Sequence, residues 1–187
     1  LQIFNMVLPL LSYPYLIRVL GTSIYGKIIF AQAIIGYLTL LVGFGFSITA
    51  TKEISIHRKN KEKVSEIVSS VRIIKVLFLF ISFFLFLPFF FFFNQVSENK
   101  VLYLMTMWLC IYEIIFPVFY FQGIEKMKYT SIITLLVRAL FVALIFIFIK
   151  SKSDYLYVPM LNLLGVVVAG LSSMYIIICK ANIKFYR

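Results

Sequence analysis

The chain has few charged residues, a single histidine and only two cysteines, and each shortage excludes a class of protein. Charged side chains make up 13% of the 187 residues and hydrophobic ones 63%, and the mean hydropathy is +1.03. A soluble domain of this length cannot bury so much apolar surface, because its surface is too large for its volume. Cys110 and Cys179 lie inside apolar runs without paired spacing, so we predict that both are buried hydrophobic side chains. With His57 as the one histidine, we expect neither a metal nor a cofactor.

The common signatures of catalysis are also missing. The sequence contains no GxSxG nucleophile elbow, no HExxH pair and no glycine-rich phosphate loop. Glu53 and Glu66 stand among lysines, where solvated carboxylates are expected. We therefore expect a protein that is not an enzyme.

The apolar residues are concentrated in six long runs. A bilayer core of about 30 Å needs about 20 residues of helix. Segments of roughly this length are 1–17, 28–50, 73–93, 101–121, 129–149 and 156–179. Each must be helical, because lipid offers no hydrogen-bond partner to an open backbone. The sequence thus predicts an all-α polytopic membrane protein, a six-helix transmembrane bundle, with kinks at interruptions such as Gly43, Gly45, Pro88 and Pro117.

The basic residues are distributed unevenly between the two ends of these spans. The net charge of +11 forms no groove-sized patch, so nucleic acid is not an expected partner. If segment 51–72 is cytoplasmic, twelve basic residues lie on that side and five on the other, with Arg138 inside a span. The twelve are Lys52, Arg58, Lys59, Lys61, Lys63, Arg72, Lys75, Lys126, Lys128, Lys180, Lys184 and Arg187. This bias predicts a cytoplasmic N-terminus.

Segment 51–72 is the only connection long enough for structure of its own. Val64, Ile67, Val68 and Val71 recur at helical spacing among charged residues. We interpret 51–72 as a cytoplasmic amphipathic loop with a short helix at the membrane surface. The alternative is a plain basic loop that contacts lipid headgroups.

Two charges are predicted at membrane depth, Glu113 in the fourth span and Arg138 in the fifth. A charge in hydrocarbon is costly, so each should face a partner, water or the protein interior. Counted from the turn near residue 125, both lie at nearly the same depth, which allows an ion pair that locks two helices. The alternative is that Arg138 binds an anionic substrate, because a guanidinium offers a fork of donors to phosphate. Arg18, at the end of the first span, is either a second such residue or an interfacial anchor.

Several motifs resemble one known family, the bacterial polysaccharide biosynthesis or O-antigen (Wzx) flippases. Residues 14–21 and 25–26 are similar to the family's "YLxRxLG…YG" opening, and 43–45 followed by 49–52 to its exit into a basic loop. Residues 117–127 resemble "PxWxFQGxExM", with Phe119 where tryptophan is common. Arg138 matches an arginine of the fifth span, and Asp154–Tyr155 an acidic-aromatic pair before the sixth.

The resemblance implies one half of a two-bundle flippase fold, related to the multidrug/oligosaccharidyl-lipid/polysaccharide superfamily. Such proteins translocate undecaprenyl-diphosphate-linked repeat units across the bacterial inner membrane by alternating access. It makes Arg138 and Arg18 the candidates for binding the diphosphate and Glu113 a candidate for ion coupling. Because the chain starts at Leu1 within a span, we expect it to be an N-terminal part of a longer protein.

Two other functions stay open from the sequence. A drug/cation antiporter of the MATE type would share the bundle, and a membrane-embedded polysaccharide polymerase or transferase would need an acidic catalytic loop elsewhere. The expected partners of a flippase are the lipid-linked oligosaccharide, membrane lipids, and the polymerase and chain-length proteins of the same route.

Overall fold

The structure is a computed structural model that describes residues 2–177, except for the side chains of residues 2–6, 9, 90, 94 and 95. All regular secondary structure in this part of the chain is helical, which confirms the predicted all-α class. The helices in chain order are α1 (Gln2–Leu20), α2 (Thr22–Gly43), α3 (Phe46–Ile56), α4 (Lys61–Phe86), α5 (Phe89–Phe92), α6 (Asn94–Glu98), α7 (Lys100–Thr106), α8 (Leu109–Ile115), α9 (Val118–Gly123), α10 (Met127–Phe148), a 3₁₀ helix (Lys152–Leu156) and α11 (Tyr157–Tyr175).

The described helices form the spans of a multi-pass membrane protein. Five stretches are long and apolar enough to cross a bilayer, and α1 contains a shorter apolar stretch, Leu10–Leu20. The five are Thr22–Ile56, Lys61–Phe86, Lys100–Gly123, Met127–Phe148 and Lys152–Tyr175. We number the spans from one to six as α1, α2–α3, α4, α7–α9, α10 and α11 with its 3₁₀ helix. Many large apolar side chains lie on the outside of the bundle, as a lipid-facing surface requires.

The connections between spans gather at two ends of the bundle. Arg58, in the turn after α3, contacts Glu125, in the turn before α10, at 2.9 Å. We call the end of the bundle that contains these two turns, residues 57–60 and 124–126, the basic end. At the opposite end the Tyr15 hydroxyl donates to the carbonyl of Ile149 at 2.8 Å, which ties the first span to the end of the fifth.

Segment 51–72 differs from the predicted surface loop. Helix α3 continues to Ile56 and α4 begins at Lys61, so only residues 57–60 form a turn. The Asn60 side chain caps α4 by accepting hydrogen bonds from the amides of Glu62 and Lys63, both at 3.1 Å. The predicted apolar face is present on α4, but its residues Val64, Val68 and Val71 pack against α3 and α9 inside the protein. The sequence pattern shows which face of the helix is apolar. Whether that face contacts lipid or other helices depends on how the helices pack.

The third span lies nearer the N-terminus than the predicted 73–93. Helix α4 ends at Phe86, and the chain beyond Pro88 forms the short helices α5 and α6. Proline cannot donate to the preceding turn, so the helix stops there although the apolar run continues. The rings of Phe86, Phe89 and Phe93 stack at centroid distances of 5.7 and 4.9 Å.

The buried side chains form separate clusters along the bundle. The largest lies toward the opposite end and joins α1, α2, α7 and α10 through residues such as Leu20, Ile35 and Ile145. A second cluster at the basic end joins α3, α4 and α9, with Ile54, Val68 and Phe121 at its centre. The second and fourth spans each pass from one cluster to the other, and both are interrupted on the way.

Candidate functional site

Arg138 lies in an open cleft near the middle of the fifth span. It is 11 residues from the start of α10 and 10 from its end, about 15 Å from either. Its side chain is exposed, and it lines a cavity of about 190 Å³ with Ser12 and Tyr13 of α1 and Asn162 of α11. The first, fifth and sixth spans thus bring a guanidinium, hydroxyls and an amide to one place. Such a set can hold an anion with hydrogen-bonding oxygens.

A second cavity of about 270 Å³ adjoins the first between the same helices and α2. The two share Tyr13, Phe141 and Asn162, and the second adds Tyr25 and Gln32. The rings of Tyr13 and Tyr25 are 6.5 Å apart. Aromatic faces and amide groups beside a guanidinium make the cleft amphipathic, in contrast to the apolar surface around it.

Glu113 is part of an ion pair with Lys75, a residue of the third span. The Lys75 Nζ lies 3.0 Å from the Glu113 Oε2 and also 3.0 Å from the Glu113 main-chain oxygen. Lys75 is 2% exposed and the Glu113 side chain 31%. The Lys75 Nζ also lies 5.4 Å from the centroid of the Phe119 ring. Charge at this depth is therefore neutralised within the protein.

The three candidate residues predicted from the sequence have different surroundings in the structure. Arg138 lines the cleft, and Glu113 has Lys75 as a partner from another span. Arg18 is exposed in the last turn of α1, toward the opposite end, and does not line the cavity that Arg138 lines.

The role of Lys75 was not predicted from the sequence, because the residue was counted among the basic ones of the cytoplasmic side. Lys75 is the third residue of the predicted third span, close enough to its boundary to be taken for an anchor. A count of charges inside the spans would have added Lys75 to Arg138 as a possible partner of Glu113, since a lone carboxylate at depth needs a cation. The Ser12, Tyr13, Gln32 and Asn162 side chains of the cleft carried no sequence signal beyond being polar within apolar runs.

The remaining reactive residues do not form a site in the described part of the chain. Cys110 is buried as predicted, with its Sγ 3.6 Å from the Thr39 Oγ1, while Cys179 lies outside the described residues. Among residues 2–177, no three His, Cys, Asp or Glu side chains converge on a point where a metal ion could bind.

Comparison with known proteins gives one consistent result. The family model described as "Polysaccharide biosynthesis protein" matches residues 1–186. A "Putative O-antigen transporter" of Escherichia coli (strain K12) is 30% identical over 174 residues, 93% of this chain and 42% of the relative. A protein of the same description from Shigella dysenteriae is 25% identical over 173 residues, 92% of this chain and 43% of the relative. No solved structure matches the chain. The chain thus spans less than half the length of the curated relatives it matches, and it belongs to the polysaccharide biosynthesis protein family.

Proposed function

We propose that this chain forms part of a transporter that flips undecaprenyl-diphosphate-linked saccharide units across the bacterial inner membrane by alternating access. The family and the names of the relatives support transport of a polysaccharide precursor. The observation that carries the proposal is the position of Arg138, exposed in an amphipathic cleft about halfway along the fifth span. A charged side chain at that depth is costly unless it serves a substrate or a partner.

The chemistry of the cleft matches the proposed substrate. A guanidinium stays charged and can donate two parallel hydrogen bonds to a diphosphate. Tyr13 and Tyr25 offer ring faces, and Gln32 and Asn162 offer amides, to the sugar attached to it. The cavities of about 190 and 270 Å³ can hold parts of such a molecule, with the lipid tail remaining in the surrounding bilayer.

The other candidate residues have different expected roles. Arg18 would meet the diphosphate near the opposite end of the bundle, before or after it passes Arg138. Glu113 would couple transport to an ion through its 31% exposed carboxylate, with Lys75 as the internal cation that an entering proton or cation competes with. The basic end would face the cytoplasm, because basic connections stay on that side. Polymerase and chain-length proteins of the same route would receive the flipped units.

The decisive experiment is a genetic one in the organism that makes the saccharide. Deletion of the full gene should leave lipid-linked single repeat units on the cytoplasmic face, and the wild-type gene should restore export. Arg138→Ala should fail to restore it at unchanged protein level. Drug efflux without a defect in surface polysaccharide would instead support a MATE-type antiporter. Exported but unpolymerised units would support a polymerase.

A further inference from the structure

The fourth span is broken at a proline, and the break leaves a carbonyl group without its helical donor. Helix α8 ends at Ile115 and α9 begins at Val118, with Phe116 and Pro117 between them. In an unbroken helix the amide of residue 117 would donate to the carbonyl of Glu113, but proline has no amide hydrogen. Lipid cannot supply a replacement, so a membrane span needs another protein group at this point.

Lys75 supplies the missing donor. Its Nζ lies 3.0 Å from the orphaned Glu113 oxygen and 3.0 Å from the Glu113 carboxylate. The same ammonium lies 5.4 Å from the ring of Phe119, which belongs to α9 on the other side of the break. One buried cation therefore contacts both halves of the fourth span.

Two other spans also provide polar groups to the broken segment. The Ser173 Oγ of α11 lies 3.4 Å from the carbonyl of Ile115, and the Thr51 Oγ1 of α3 lies 3.3 Å from the carbonyl of Phe119. These contacts are longer than those of Lys75 and involve neutral groups. Of these three donors, Lys75 makes the shortest contacts and is the one that carries a charge.

The second span is interrupted beside the same carboxylate. Phe44 and Gly45 separate α2 from α3 with φ angles of 34° and 72°, the left-handed region. A Cβ on Gly43 would lie 3.8 Å from the Glu113 Oε2. Two broken spans thus meet at one ion pair, with α2 and α8 packed together on one side and α3 and α9 on the other.

We propose that Lys75 is the positioning residue of a hinge at which α3 and α9 turn as a unit relative to α2 and α8. The ammonium replaces the amide that Pro117 lacks, and the Glu113 carboxylate balances its charge. The separate clusters of buried residues on the two sides allow each unit to keep its own packing while the angle changes. Only the assignment of this motion to the transport cycle rests on the proposed function.

A set of variants of the full-length protein separates this role from that of an ordinary ion pair. Lys75→Met with Glu113→Gln removes both charges but leaves the Glu113 carbonyl without a donor. Adding Pro117→Ala returns an amide to that carbonyl. Pro88→Ala, at the end of the third span, is the matched control proline, since it lies on a different helix from Glu113.

The amount of folded protein in the membrane is the first measurement. We expect the double variant to fall about tenfold below wild type, Pro117→Ala to restore most of it, and Pro88→Ala to restore none. If removal of both charges alone leaves wild-type levels, or if both proline variants rescue equally, Lys75 is only half of an ion pair and the proposal is wrong.

The hinge itself has a distance readout. Spin labels at positions 100 and 126, both exposed and flanking the fourth span, report its end-to-end length in a cysteine-free background. The distance between the two labels should be longer in the triple variant than in wild type, because a helix that continues through position 117 is longer than a bent one, and transport should fall at least about tenfold while the protein stays folded. A straightened span with full transport would overturn the hinge. If the wild-type protein does not transport lipid-linked saccharides, the proposed function fails, but the level and distance measurements still test Lys75.

Discussion

Lys75 and Arg138 both carry a positive charge at membrane depth, but the bundle surrounds them differently. Lys75 is 2% exposed and has a carboxylate, a carbonyl and an aromatic ring around its ammonium. Arg138 is exposed and lines a cleft with hydroxyl and amide groups. Protein groups enclose the Lys75 ammonium, whereas the Arg138 side chain borders an open cavity. Burial and neighbours, rather than depth, distinguish the two.

The largest loss of stability should come from removing the counterion of the buried Lys75. Glu113→Ala leaves the Lys75 ammonium buried without a counterion, so we expect the full-length protein to lose about 3 kcal/mol of unfolding free energy. Thermal or denaturant unfolding in lipid-like detergent measures this loss. Glu66→Ala is the control, because Glu66 pairs with Lys63 on the exposed surface and such pairs contribute little. Equal stability of the two variants would mean that the Lys75–Glu113 pair has no structural role.

The close packing of the basic end should be nearly as sensitive. A Cβ on Gly123 would lie 2.6 Å from the Ile54 Cγ2, so Gly123→Ala forces α9 away from α3. We expect a loss of about 2 kcal/mol. Gly36→Ala in α2 is the matched control, since a Cβ there meets nothing within 4 Å and alanine favours the helix. Its stability should stay the same or rise, and a loss as large as that of Gly123→Ala would contradict the packing described here.

The sequence predicts much of this molecule and misses what depends on neighbouring spans. Hydrophobic length predicts six membrane helices, and the described residues contain five stretches long and apolar enough to cross a bilayer and one shorter apolar stretch. It also marks Arg138, since a charge in the centre of a long apolar run stands out. It could not show that Val64 and Val68 face α3 and α9, because that depends on how helices dock. Nor could it assign Lys75 to Glu113, because the donor that Pro117 lacks comes from a residue 38 positions away from the carbonyl.

Transport should depend on the shape of the cation at position 138 in the cleft. Arg138→Lys keeps the charge but loses the planar fork, so we expect transport to fall about three- to tenfold at unchanged protein level. Export of lipid-linked units, normalised to protein in the membrane, measures the effect. Lys128→Arg, exposed near the basic end, serves as the control for a change of cation outside the cleft. If Arg138→Lys transports as well as wild type, transport needs only a positive charge at position 138 and not the planar guanidinium.

Arg18 should give the smallest effect. Its side chain is exposed at the end of α1, where contacts to a passing anion are screened by water and headgroups. We expect Arg18→Ala to lower transport about twofold at unchanged protein level. A fall in membrane insertion with normal transport per molecule would identify Arg18 as an interfacial anchor instead.

The accessibility of the cleft and of the hinge to water can be compared directly at two positions of one helix. Asn162 and Ser173 both lie on α11; Asn162 lines the cleft, whereas Ser173 is 0% exposed beside the break in the fourth span. In the full-length protein with its native cysteines replaced, Asn162→Cys and Ser173→Cys are treated from both sides with a charged, membrane-impermeant thiol reagent. We predict that Asn162→Cys reacts at least about tenfold faster and that the lipid-linked saccharide protects it. Equal rates, or faster reaction of Ser173→Cys, would contradict the account.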